Sequence, residues 1–161
     1  AGFNGGTGII VGASSIASHC VARNSSGVGF AVGFGSQIEH CIASNNSLHG
    51  ISAVGACVIA NNLCDSNGAG SPSSGGIRVN GAGTIIKDNQ CTNGARGISI
   101  DTAGNLVIRN TCSGNANNFN IVANNRYGPI VNITASGTAA ASGNSAASTL
   151  TNTEPNASFA Y

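Results

Sequence analysis

The chain has 161 residues, enough for one domain, and 41% of them are hydrophobic, yet only 7% are Asp, Glu, Lys or Arg and the net charge is +1. That scarcity leaves no basic patch for nucleic acid or anionic lipid, both of which need clustered Lys and Arg. No window reaches the ~18 consecutive apolar residues of a membrane span.

A short signature recurs along the chain: Gly8-Ile9, Gly29-Phe30, Gly50-Ile51, Gly76-Ile77, Gly97-Ile98 and Asn118-Phe119, at intervals of 21, 21, 26, 21 and 21 residues. Sliding Gly76–Arg96 onto Gly97–Asn117 also superposes Asn89 on Asn110 and Cys91 on Cys112. A fixed period in this range marks a solenoid, in which each copy is one coil and stacked copies bury a continuous core. After each signature the apolar residues alternate: Ile9/Val11, Phe30/Val32, Ile51/Ala53, Ile77/Val79, Ile98/Ile100 and Phe119/Ile121. Alternation places those pairs on the inner face of a strand. Helices are not expected, because Gly, Asn and Ser return every few residues. Residues 1–133 therefore read as a solenoid of about six coils. Residues 134–161, rich in Ala, Ser, Thr and Asn, read as a closing segment docked on it or on a neighbour.

Further round each coil a second apolar run appears at Ile38, Val58-Ile59, Ile85-Ile86 and Leu106-Val107-Ile108. It is followed by Asn62, Asn89 and Asn110. Asparagine tolerates left-handed backbone angles, and its amide can bond the equivalent residue one coil away. These three are expected to form a ladder at a repeated turn. Cys64, Cys91 and Cys112 follow two residues later, while Cys20 and Cys41 stand 21 apart in the first two coils. Stacked cysteines read first as a ladder of buried thiols, with a bridge between neighbours or a metal as the alternatives. Cys57 falls outside these columns. The long coil carries its surplus in the run Asn67 to Ser74, with Gly68, Gly70, Ser71 and Pro72 at its centre, a loop of the kind solenoids place on one face.

The Gly-Ile-x-Ile rung, the asparagine ladder and the 21-residue coil together resemble the right-handed parallel β-helix repeat proteins, a superfamily that includes pectate lyases, polygalacturonases and phage tailspikes. The resemblance spans Gly8 to about Ile133 and implies an all-β, right-handed parallel β-helix. The stretches Asn125 to Ile130 and Ser142 to Leu150 are similar to the tails of secreted bacterial β-helix proteins, which implies an extracellular or cell-surface location. In this superfamily the lyases hold calcium with clustered carboxylates and use an Arg or Lys base, and the hydrolases use paired Asp. Here the acids are Glu39, Asp65, Asp88, Asp101 and Glu154, and no two are one coil apart. No catalytic residue, cofactor or metal is therefore assigned.

The candidate ligand-binding face is the outer side of the first strand, where Arg78, Ser99 and Asn120 form one column and Asn80 and Asp101 the next. Asp88 and Arg109, 21 apart, are expected to pair between coils, and His19 and His40 to stack. The sequence lacks Met, so a processed or trimmed piece is expected. The first coil is nearly free of charge, and Ile10 should face outward. That end asks for a partner, either a missing N-terminal region or further copies in an oligomer or filament. The leading expectation is a non-enzymatic structural or adhesive solenoid that self-associates. The alternative is a domain that binds or cleaves a polysaccharide through the Arg78/Asp101 face.

Overall fold

The computed structural model describes residues 2–132, 141–142 and 158–160. These form a parallel β-solenoid of about six coils with three sheets and no helix among the described residues. Sheet one stacks Ile9–Val11, Phe30–Val32, Ile51–Ala53, Gly75–Val79, Arg96–Ile100, Asn117–Ile121 and Ala141–Ser142. Sheet two stacks Ile16–Ser18, Gln37–Glu39, Val58–Ala60, Ile85–Lys87, Leu106–Ile108 and Arg126–Tyr127. Sheet three runs Gly2–Asn4, Val21–Ser25, Ile42–Ser44, Leu63–Asp65, Gln90–Thr92, Thr111–Ser113, Ser158–Ala160 and Ile130–Asn132. Ser158–Ala160 thus enters between the strands of two successive coils and pairs in parallel with both. The rest of the closing segment 134–161, apart from Ala141–Ser142, lies outside the described residues.

Register explains the repeat. Ile9 pairs with Phe30, Phe30 with Ile51, Ile51 with Ile77, Ile77 with Ile98 and Ile98 with Phe119. Both alternating positions of sheet one face the core and are buried from the second coil onward. Of the second apolar run only the middle residue turns inward: Ala17, Ile38, Ile59, Ile86, Val107 and Tyr127 make one buried column. Its flanking residues Val58, Ile85 and Leu106 form an outer column instead. Sheet three contributes one small residue per coil, Ala22, Ala43, Cys64, Cys91 and Cys112, all fully buried.

Small residues are required there because sheet three crowds the signature glycines. An added Cβ at Gly76 would lie 2.7 Å from the Gly97 carbonyl and 2.9 Å from Cys91 Sγ. Every such contact below 3.0 Å forces a shift, so the column stays Gly where Cys or Ala faces it.

Each corner carries its own column of polar side chains. The expected asparagine ladder is present: Asn62 Nδ2 donates to Asn89 Oδ1 at 3.0 Å and Asn89 Nδ2 to Asn110 Oδ1 at 3.0 Å. The same oxygens accept the backbone N–H one coil back, Asn62 N to Asn89 and Asn89 N to Asn110, both at 3.0 Å, and Asn62 Oδ1 likewise accepts from Cys41 N at 3.0 Å. The left-handed residue is not the ladder asparagine, as the sequence suggested, but the one before it. His19, His40, Asn61, Asp88 and Arg109 have φ of 53°, 52°, 56°, 56° and 54°. That turn aims the first side chain to solvent and the second into the stack.

Two further columns escaped the sequence pattern. Asn46 Nδ2 donates to Asn67 Oδ1 at 2.9 Å at the corner after sheet three. At the corner after sheet one, Thr84 N donates to Asn105 Oδ1 and Asn105 N to Asn125 Oδ1, both at 2.8 Å. Cys57 belongs to this last column, its N–H donating to Thr84 Oγ1 at 3.3 Å, and so stands apart from the cysteine columns, as its spacing indicated. Cys20 and Cys41 likewise hold the asparagine slot of their coils, not the slot of Cys64.

Candidate functional site

Outer positions of sheet one form the polar face. Arg78 pairs with Ser52 on one side and Ser99 on the other, and Ser99 with Asn120. The alternation that buries Ile77 and Val79 necessarily points Arg78 outward. Arg78 Nε donates to Asp101 Oδ2 at 2.7 Å, and Ser99 Oγ to Asp101 Oδ1 at 3.2 Å. Arg96 donates to Ser99 Oγ at 3.3 Å and Asn120 Nδ2 to the same oxygen at 3.2 Å. Four of the residues singled out from the sequence, Arg78, Ser99, Asp101 and Asn120, thus join one network. Asn80 stands exposed one coil below Asp101, its N–H bonded to the Ala53 carbonyl at 3.1 Å.

Arg96 and His49 complete the cluster and were missed. Both occupy the slot just before the signature glycine, where Val28, Gly75 and Asn117 stand in other coils. Aligning that slot, and not only the glycines, would have placed them together. His49 is 8% exposed. Burial first, and then the positive charge of Arg78, push its pKa down from 6.5 to about 4, with Asp101 opposing and Arg96 reinforcing. It is a neutral imidazole at neutral pH, set beside two guanidinium groups and one carboxylate. Two cations against one anion leave this face suited to an acidic ligand.

The insertion is an ordered loop anchored to the preceding coil. Gly68 has φ +93°, Gly70 N donates to the Ser47 carbonyl at 2.7 Å, and Ser71 N to the Gly68 carbonyl at 3.1 Å. Pro72 is exposed at its crest. The loop returns to sheet one at Gly75, one coil on from His49.

No family profile and no curated protein matches this sequence. The structure is similar to that of an alginate lyase from Paenibacillus sp. str. FPU-7, with a TM-score of 0.33 and 10% identity over 94% of this chain and 78% of that one. Parallel β-solenoid architecture is what the chain itself displays, and its chemistry has to be read from its own side chains.

The other candidate pairs resolve as structure. Arg109 grips Asp88 through two bonds of 2.7 and 2.8 Å, holding that carboxyl below the usual range. Both side chains are partly exposed, so the pair contributes little to stability. Asp65, also held low, accepts from Thr92 at 2.7 Å, Asn93 at 2.8 Å and Ser66 at 3.0 Å. His19 and His40 stack with centroids 5.2 Å apart and planes 9° apart. Imidazole lone pairs lie in the ring plane, so near-parallel rings do not converge on one ion. Among the described residues no group of three His, Cys, Asp or Glu is placed to hold a metal.

Proposed function

We propose that the chain is a non-enzymatic structural solenoid, acting outside the cell, that stacks head to tail with copies of itself. The observation that carries this reading is the first coil. Gly2–Asn4, Ile9–Val11 and Ile16–Ser18 each have a hydrogen-bonded neighbour on one side only among the described residues. Phe3, Ile10 and Ile16 on those strands are 86%, 77% and 72% exposed. Sheets normally blunt such edges with charge, proline or a covering element, and residues 2–22 contain no Asp, Glu, Lys, Arg or Pro. At the opposite end the sheets finish in Ala141–Ser142, Arg126–Tyr127 and Ile130–Asn132. Because the ladders at both ends are parallel, a second copy laid on in the same direction extends each sheet without reversing its sense. Such a contact is heterologous and does not close on itself, which yields a filament. Sedimentation over a concentration series tests it: the wild-type chain should grow in mass with concentration, and Ile10→Lys with Ile16→Lys should stay monomeric. A wild-type chain that is monomeric throughout overturns the reading.

A second reading is supported by His49, a buried imidazole beside Arg78 and Arg96. It has the sheet-one face bind an acidic saccharide beside the Gly68–Ser74 loop. Saturable binding to an acidic glycan, lost in Arg78→Ala, is its expected result; equal binding by that variant counts against it.

A further inference from the structure

We propose that Cys20 and Cys41 are a redox site, a dithiol that a small-molecule disulfide converts into an inter-coil bridge. All six cysteines are thiols in the structure. Cys20 and Cys41 are stacked between adjacent coils, as Cys64, Cys91 and Cys112 are, but only this pair includes a partly exposed thiol. The strands on either side are in register, Ser18 with Glu39 and Val21 with Ile42, so the two residues are direct neighbours across one coil. Parallel strands hold neighbours ~4.8 Å apart, within the roughly 4.4–6.8 Å that a disulfide spans between Cα atoms. Cys20 N donates to Cys41 Sγ at 3.4 Å, so Cys41's sulfur already lies against the Cys20 backbone.

Access singles out Cys20. Cys20 is partly exposed on the end coil, its thiol bonded to the Ser18 carbonyl at 3.3 Å. Cys41, Cys57, Cys64, Cys91 and Cys112 are at most 1% exposed, so a reagent enters at Cys20 and Cys41 is reached only from Cys20. The pair also stands where later coils have Asn62, Asn89 and Asn110. There the Asn89 and Asn110 amide oxygens each accept two bonds from the coil before. A sulfur is a weaker acceptor, so the first two coils are tied more weakly at this slot, by the Cys20 N–H bond to Cys41 Sγ. A covalent link there would strengthen it.

The step balances. Cys20 thiolate attacks one sulfur of the reagent disulfide and releases one thiol, leaving a mixed disulfide; Cys41 thiolate then attacks Cys20 Sγ and releases the second. The protein loses two electrons and two protons, and the reagent gains both. Burial pushes the Cys41 thiol up, which lowers the share of thiolate available for the second attack.

The inference is independent of head-to-tail stacking, and the test separates them by using both the wild-type chain and the Ile10→Lys, Ile16→Lys variant. Each is treated natively with oxidised glutathione, quenched in acid and digested for mass spectrometry. The expected product has lost two hydrogens, carries a Cys20–Cys41 cross-linked peptide and retains four unmodified thiols. Its melting temperature rises and returns on reduction, and Cys41→Ser shows no rise. A glutathione adduct that persists on Cys20, a cross-link to any other cysteine, or no reaction in either chain overturns the assignment.

Discussion

Replacing Asn89 with Ala should be among the most damaging single changes available in this chain. Its amide nitrogen donates to the Ile59 and Lys87 carbonyls at 2.9 Å and to Asn110 Oδ1 at 3.0 Å. Its oxygen accepts the Asn62 N–H and the Asn62 amide, both at 3.0 Å. The residue is 2% exposed, so water does not replace what is lost. A buried hydrogen bond contributes about 0.5–1.5 kcal/mol net, and an orphaned partner costs about 1–3 kcal/mol. Five bonds lost together, allowing for overlap and relaxation, give about 3–5 kcal/mol. Urea unfolding followed by far-UV circular dichroism measures it, with Asn61→Gly as control. Asn61 is exposed at φ 56°, where glycine is at ease, so that variant should stay within about 0.5 kcal/mol of wild type. An Asn89→Ala chain as stable as the control would refute the claim that the ladder ties coil to coil.

Gly76→Ala should destabilise by about 1–3 kcal/mol through overpacking, because its methyl would meet the Gly97 carbonyl and Cys91 Sγ. Cys91→Ala in the same chain should recover part of that loss in the same urea assay, and no recovery would put the obstruction on the backbone alone. His49 gives the protein a pH dependence of predictable sign. Its folded pKa of about 4 lies below the ordinary 6.5, so the unfolded chain binds the extra proton between these values and stability falls as the solution is acidified through that window. From about pH 7 to about pH 5 the loss is about 2 kcal/mol. His49→Gln should flatten that slope, and an unchanged slope would mean that another group sets it.

The sequence made the coil legible because stacking imposes one register on every coil. Gly76 over Gly97, Ile77 over Ile98 and Asn89 over Asn110 recur in the chain for the same reason that they touch in space. The column at the corner after sheet one was hidden by variation in kind. Ser36, Cys57, Thr84 and Asn105 each receive a backbone N–H from the coil before, or in the case of Cys57 provide one to the next, and share no residue type. A hydroxyl, a thiol and an amide serve the same slot, and identity matching does not see them as equivalent. His49 and Arg96 were hidden differently. Single residues in a variable slot leave no repeat signal, and only the register of sheet one brings them to Arg78 and Asp101.

Electron microscopy of the purified chain, with the axial repeat measured, tests self-association most directly. Six coils at ~4.8 Å each make a body about 30 Å tall. Head-to-tail stacking therefore predicts unbranched filaments with a subunit rise of about 30 Å and a continuous ~4.8 Å strand spacing across the joints. Isolated particles at every concentration, or filaments whose repeat is set by the width of the solenoid instead of its height, would contradict it.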